Sequence, residues 1–408
     1  MKIAIVNNAA NYLDFNINLA KYLEKKGIET TFLNCDLFIT RQLKKFDFKV
    51  AKYKQSNSSG KHYSKNSDII RYFERIYDIK NTAKLLKQKN REYFDCFNFL
   101  KNNHFDYVLI LNGTFNVETD VCKNLDIKCF FFEHGYFSKT IQMDTAGVNC
   151  KTSFSELKQN DFLNFSYKSN EFKPLNDFIL INTKYSIFKR FLYRLLDKKY
   201  NGFLMNVLSK KNKQSKAKKR FKNLTDDNFD IDKIGKYIFF PLQVNSDTQI
   251  ILNSPYESMY EAIEKILPIL KNTELKIVIK EHPLEVEPVN YDRFIDNKNV
   301  FLVKKYDLDK LIINSEFVVN INSSVGLQSI AKYKKVLLLG EAFYKNSPIS
   351  IPYHEINSGN IYEFIMSLKI DKTEVDKYIK HFQDKIFIKG HFYTPDISFF
   401  EKIRNRLI

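Results

Sequence analysis

The chain has 408 residues, 44% of them hydrophobic, with 65 Lys+Arg against 47 Asp+Glu and a formal net charge of +18. That length exceeds one ordinary core and predicts two domains of roughly 150–200 residues each. The charge attracts anions, whether nucleic acid, anionic lipid or a charged sugar donor, without choosing among them. The cysteines (Cys35, Cys96, Cys122, Cys129, Cys150) are odd in number and lack C-x-x-C spacing, which argues against a zinc site or disulfide framework and predicts reduced thiols in a cytosolic protein. A four-residue apolar run near Met1 is short for a signal peptide, and no 18-residue apolar run predicts a membrane span.

In chain order, Ile3-Ala-Ile-Val6 reads as a buried strand, 12–26 as a helix ended by Gly27, and Glu29-Thr-Thr-Phe-Leu33 as the next strand. That βαβ opening lacks the G-x-G-x-x-G fingerprint of dinucleotide sites. Residues 49–67 are polar and predict an exposed loop, 69–101 one or two helices, Tyr107-Val-Leu-Ile-Leu111 a strand, and Lys128-Cys-Phe-Phe-Phe132 another that delivers Glu133-His-Gly135 at its end. Aromatic and basic residues fill 178–222 and culminate in a lysine run over 210–222. That run reads either as a packed helix with a solvated tail or as a face resting on anionic lipid or a lipid-linked acceptor. It lacks the signature of a nucleic-acid module.

A second series follows: strand Tyr237-Ile-Phe-Phe-Pro-Leu-Gln243, helix 254–270, strand Leu275-Lys-Ile-Val-Ile279, strand Val300-Phe-Leu-Val303, helix 308–314, strand Phe317-Val-Val-Asn-Ile321, helix 327–332 and strand Val336-Leu-Leu-Leu339. Strands alternating with helices predict parallel sheets covered on both faces. The expected fold class is α/β and GT-B-like: two Rossmann-like domains facing across a cleft. The expected division is a first domain over 1–170, a basic helical insert over 171–235, a second domain over 236–365, and C-terminal helices over 366–408 packing back on the first.

Candidate chemistry gathers at strand ends. In Val278-Ile-Lys-Glu-His-Pro283, Pro283 biases His282 away from helix and sets the direction of its imidazole, with Lys280 adding a positive charge. His282 is either a phosphate contact or an ordinary turn residue. In Asn322-Ser-Ser-Val-Gly326, Asn322, Ser323, Ser324 and Gly326 open a helix where N–H groups and hydroxyls can hold a phosphate. An ordinary serine cap with a packing glycine reads the same way.

Glu133, His134 and Gly135 place a carboxylate and an imidazole in a close turn, suited to general acid/base work or to a plain surface turn. The loop 143–149 folds back toward them with Asp144 and Asn149 as its polar groups. Asp247, four residues after Gln243, is either a helix cap or a carboxylate aimed at an anomeric carbon. Asp230-Ile-Asp232 and Asp307-Leu-Asp309 match the D-x-D of metal-using transferases, a pattern expected by chance in so charged a chain.

Taken together, Glu133-His-Gly-Tyr-Phe137 with Asp144 and Gly147-Val-Asn149, Pro241-Leu-Gln243 with Asp247, Lys280-Glu-His-Pro283, and Asn322-Ser-Ser-Val-Gly326 running on to Leu339-Gly-Glu-Ala-Phe-Tyr344 resemble the bacterial capsule-polysaccharide and retaining β-Kdo glycosyltransferases. Bacterial sialyl- and polysialyltransferases are similar more loosely. The resemblance implies transfer of Kdo from CMP-β-Kdo to a lipid-linked surface-polysaccharide acceptor. In that reading Asp247 is the nucleophile and Glu133 the acid/base, while His282, Ser323 and Ser324 hold the CMP phosphate. Gln243, Lys280, Pro283, Asn322 and Gly326 complete the donor site, and His134, Gly135, Asp144 and Asn149 face the acceptor.

No metal or other cofactor is implied, nor a nucleic-acid partner, and the expected location is cytoplasmic, at the inner face of the membrane. A CMP-sialic-acid transferase and, in another class, a basic nucleic-acid-binding protein are the alternatives. The segment 185–222 has no counterpart among these motifs.

Overall fold

A computed structural model describes residues 1–7, 10–33, 36–53, 68, 71–72, 82–114, 116–163, 179–183, 229–245, 247–270, 273–285, 294, 298–356 and 360–408. They form two compact units. The first holds Met1–Ser153, 179–183 and Asp384–Ile408; the second holds the stretch that begins at Phe154 and the chain from Phe229 to Gln383.

In the first unit, β1 (Lys2–Val6), β2 (Glu29–Leu33), β3 (Val50–Ala51), β4 (Tyr107–Leu111) and β5 (Cys129–His134) run parallel, and β6 (Thr140–Asp144) turns back antiparallel on β5. The second unit contributes β7 (Tyr237–Pro241), β8 (Lys276–Lys280), β9 (Val300–Val303), β10 (Val318–Asn320), β11 (Val336–Leu338) and β12 (Ser350–Pro352), all parallel. The chain then returns to the first sheet as β13 (Phe387–Lys389), antiparallel to β6. The sheet orders are β13-β6-β5-β4-β1-β2-β3 and β12-β11-β10-β7-β8-β9.

Side-chain alternation explains why both faces of each sheet are dry. Ile3 and Ile5 enter one core, while Ala4 and Val6 enter another on the opposite face. Ile238 and Phe240 divide from Tyr237 and Phe239 in the same way. Both units are Rossmann-like, the two-unit composition of the GT-B class.

Two elements differ from expectation. Residues 140–144, read partly as loop, form β6. Gly135 permits the tight hairpin: its N–H donates to Thr140 O at 2.8 Å, and a Cβ there would overlap the Thr140 side chain. The helix expected over 254–270 begins only at Met259 and is preceded by a separate helix, Thr248–Asn253, because Pro255 holds Ser254 in extended backbone (φ −142°, ψ 158°). Ser258 then caps the second helix through Glu261 N–H.

The unit boundaries also differ. Phe154, expected in the first domain, packs edge-on against Phe382 with centroids 4.4 Å apart and against Tyr378 at 5.3 Å, which places it in the second unit with most of helix Lys372–Lys385. Only the chain from Asp384 onward completes the first unit. There Arg406 donates to four carbonyls, those of Met143 (3.1 Å), Ile386 (3.0 Å), Asp384 (2.9 Å) and Phe387 (2.6 Å), and so ties helix Ile397–Leu407 to β6 and β13. Phe399, Phe400, Ile403 and Leu407 of that helix bury against the first core. Each such side chain contributes about 1.5–3 kcal/mol.

Candidate functional site

Strand order in the second sheet reverses between β7 and β10. The carboxyl ends at such a reversal are where open α/β sheets take ligands. Gln243 and Asn322 meet there: Gln243 Nε2 donates to Asn322 Oδ1 at 3.0 Å, and Asn322 N–H donates to Gln243 Oε1 at 3.2 Å. Asn322 Nδ2 donates onward to the carbonyls of Gln249 (3.0 Å) and Asn253 (3.3 Å). Both residues are buried. The structure therefore uses them to clamp the two strand ends together, whereas the sequence had suggested direct donor contacts.

Asp247 caps helix Thr248–Asn253, its Oδ1 accepting from Gln249 N–H at 2.8 Å. The cap uses one oxygen of the carboxylate, so capping and chemistry are compatible. Burial pushes the Asp247 carboxyl above its usual range, partly opposed by the Gln249 N–H and the charge of His282. His282 is half-buried, and its Nδ1 accepts from Leu284 N–H at 3.2 Å. The neutral ring then carries its proton on Nε2 and presents a donor. Burial pushes its pKa down, against the pull of Asp247 and Glu285.

Pro283 is exposed, and Lys280 turns its ammonium to Lys304 O at 2.7 Å. Glu285, which sequence reasoning missed, accepts from Asn245 N–H at 2.9 Å and thereby links the His-Pro turn to the loop after β7.

The Ser-Ser turn divides its labour. Ser323 Oγ accepts from Val325 N–H at 3.2 Å and its carbonyl accepts from Gly326 N–H at 3.0 Å, so those two N–H groups are spent inside the turn. Ser324 opens the seven-residue helix Ser324–Ile330 and is partly exposed. Gly326 is required: a Cβ would collide with the Tyr344 hydroxyl and the Asn320 amide. Tyr344, fully buried, donates to Ser323 O at 2.5 Å and braces the turn from beneath. A tyrosine 21 residues downstream gives no local signal of this role.

In the first unit, Glu133 is held by two donors, His134 N–H to Oε1 at 2.8 Å and Asn112 Nδ2 to Oε2 at 2.6 Å. Asn112 sits at the end of β4 with φ +62°, a left-handed conformation that asparagine tolerates. His134 Nε2 lies 3.2 Å from the Tyr12 hydroxyl. Gly135 makes the hairpin. Asp144 and Asn149, expected to face the acceptor, are buried braces instead. Asp144 accepts from Ala146 N–H (2.7 Å), Ser153 N–H (3.1 Å) and Ser153 Oγ (2.5 Å). Asn149 Oδ1 accepts from Tyr136 Oη at 2.5 Å and Gln142 Nε2 at 3.0 Å.

The D-x-D matches are helix caps. Asp230 accepts from Asp232 N–H at 3.2 Å, and Asp307 from Lys310 N–H at 2.7 Å. Cys96, Cys122 and Cys129 are buried in the first unit's core, and burial raises the Cys96 thiol. No helix among the described residues is long and apolar enough to cross a membrane. The lysine run 210–222, Cys35 and most of the loop 49–67 lie outside the described residues.

These features define a two-unit, doubly wound α/β protein whose second sheet carries a built turn cluster at its switch point. The chain belongs to the capsule polysaccharide biosynthesis protein family, whose profile matches residues 112–393. It is 24% identical over 299 residues to Protein FixF of Sinorhizobium fredii, covering 72% of this chain and 63% of that protein. It is 27% identical over 124 residues to the capsule polysaccharide modification protein LipB of Neisseria meningitidis, covering 28% of this chain and 30% of that one. The chain thus spans less than two thirds of the length of these relatives. Among solved structures, KpsC of Thermosulfurimonas dismutans, a beta Kdo 2,7 transferase, aligns over 86% of this chain and 89% of its own at 16% identity, with a TM-score of 0.38.

Proposed function

We propose that the protein is a retaining glycosyltransferase that moves Kdo from CMP-β-Kdo to a lipid-linked surface-polysaccharide acceptor. The observation that carries this reading is the geometry of the second sheet's carboxyl edge, where Asp247 is fixed by its cap bond to Gln249 N–H and His282 by the Leu284 N–H, in turns beside the β7–β10 strand-order reversal. Membership in the capsule polysaccharide biosynthesis family supplies the glycan context.

In the first step a carboxylate oxygen of Asp247 attacks the anomeric carbon, the bond from that carbon to the CMP phosphate oxygen breaks, and CMP departs with the electron pair. Partial desolvation makes the carboxylate a better nucleophile, and its cap bond fixes its direction. His282 Nε2–H and the Ser324 hydroxyl donate to the departing phosphate, stabilising charge where it develops. One phosphate needs fewer donors than a diphosphate, so the scheme calls for no metal. In the second step an acceptor hydroxyl attacks the same carbon and gives its proton to a general base, the role the resemblance assigns to Glu133, and Asp247 is released. Two displacements retain configuration. Gln243, Asn322 and Gly326 act through the geometry of the turns. The lysine run 210–222 is assigned to the anionic inner face of the cytoplasmic membrane.

The decisive experiment is intact-protein mass spectrometry after incubation with freshly generated CMP-Kdo, comparing wild type with Asp247→Asn. A mass gain of one Kdo on wild type, mapped to Asp247 and missing from the variant, is the expected result. Turnover of CMP-Neu5Ac but not CMP-Kdo would move the assignment to sialic acid. Turnover of neither would end the transferase reading.

A further inference from the structure

Around His134 the first unit gathers side chains that the reaction scheme above does not use. Tyr393, 54% exposed, stacks on Tyr12 with ring centroids 5.9 Å apart and planes 14° from parallel. His134 and His391 stand against Tyr393 at 5.7 and 5.3 Å, and 6.0 Å from each other. His391 Nδ1 accepts from Tyr393 N–H at 3.3 Å, so its neutral ring carries the proton on Nε2 and offers a donor. Glu133 lies next in the chain to His134 and contributes to the electrostatics of Tyr12.

The cluster is firmly seated. Phe392, buried between Tyr393 and His391, packs edge-on against Tyr12 (5.2 Å), Phe15 (4.8 Å) and His134 (5.0 Å). Tyr393 is therefore an exposed aromatic plate on a packed aromatic base, flanked by two imidazoles.

We infer that Tyr393, stacked on Tyr12 and flanked by His134 and His391, is the binding platform for a neutral sugar ring of the acceptor glycan. The C–H face of a pyranose covers an aromatic plate, removing apolar surface from water on both partners. Its hydroxyls then donate to Glu133 and accept from the imidazoles. Burial holds His134 toward its neutral form, with Glu133 opposing. A platform of aromatic and imidazole rings beside a carboxylate suits uncharged hydroxyls and repels an acidic sugar. This inference rests on the glycosyltransferase reading for the word acceptor, while the sugar platform itself is testable without turnover.

The test is saturation-transfer NMR on the full chain with methyl glycosides of glucose, galactose, N-acetylglucosamine and Kdo. Wild type is expected to transfer saturation to at least one neutral glycoside. That signal should vanish in Tyr393→Ala, weaken in His391→Ala and persist in Tyr393→Phe, with unchanged thermal melting as the control for folding. No transfer to any neutral glycoside, transfer to the Kdo glycoside alone, or an undiminished signal in Tyr393→Ala overturns the inference.

With CMP-Kdo and a competent acceptor, Tyr393→Ala should raise the acceptor KM by about tenfold or more, with a smaller change in kcat. An unchanged KM in an active enzyme would sink the platform and leave the transferase. Absent turnover with Tyr393-dependent glycoside binding would do the reverse.

Discussion

At the switch point of the second sheet, Gln243 and Asn322 satisfy each other across two strand ends, and Asn322 is bonded at both ends of its amide. At the corresponding point of the first sheet, β1 runs into Asn7, fully buried with neither its Oδ1 nor its Nδ2 hydrogen-bonded among the described residues, while the polar chemistry of this unit is framed by aromatic rings. The parallel strands of the two sheets share an order, although the first adds antiparallel β6 and β13, and the two edges are finished in different materials. Amide braces fix turn geometry through directional hydrogen bonds, which suits an edge that must hold phosphate and a leaving group. Stacked rings provide area with few directional demands, which suits acceptance of a sugar face.

The largest expected effect separates chemistry from scaffold at the braced edge. Asp247→Asn should lower covalent adduct formation by roughly a thousandfold or more while leaving the Kd for CMP nearly unchanged. Asparagine caps helices as well as aspartate does, and it removes a carboxyl that burial holds above its usual range. The variant should thus melt no lower than wild type. Wild-type rates in calorimetry and adduct assays would return Asp247 to a capping role alone.

His282→Ala should weaken CMP binding by ~10–100-fold, the worth of a donor to a charged oxygen, read by titration calorimetry. An unchanged affinity would remove the imidazole from the donor site.

Gly326→Ala tests the brace beneath the Ser-Ser turn. The added methyl meets Tyr344 and Asn320, both fully buried, so neither can move cheaply. A loss of about 1–3 kcal/mol is expected, with CMP affinity falling alongside it. Urea denaturation showing no loss would mean the turn is softer than its geometry implies, and the contrast between the two edges would fade.

The smallest effect is with pH. Burial lowers the His282 pKa, so the unfolded imidazole takes its proton first as pH falls through its ordinary value of about 6.5, and stability is lost on acidification in that window. Asp247 acts oppositely: its raised pKa means the folded state binds the proton first, so below that value acidification restores stability. Melting curves of wild type and His282→Gln should converge near neutrality and diverge below it, with the variant less acid-sensitive. Parallel curves would show that His282 titrates as in the unfolded chain.

Much of the fold was legible because its signals are local. Buried parallel strands are apolar runs, and β2, β4 and β9 fall on the stretches read from the sequence alone. The order of polar turns at strand ends also followed from the chain, since a strand's end and its next turn are neighbours in sequence. One strand of the C-terminal region left no such signal. A three-residue strand such as β13 has no periodicity of its own and exists through its pairing with β6.

The same limit governed the site. Composition and spacing determined that His282, Asp247, Glu133 and the serines would stand at strand ends, because those positions follow from where apolar runs stop. Only the tertiary structure decided which polar groups are consumed as braces: Gln243, Asn322, Asp144 and Asn149 bond inward, while the His282 ring presents a donor at Nε2. Gln243 and Asn322 are 79 residues apart, and Tyr393 reaches Tyr12 from the far end of the chain. Hydrogen bonds and ring contacts over such separations depend on how the sheets are ordered, which no local pattern of residues encodes.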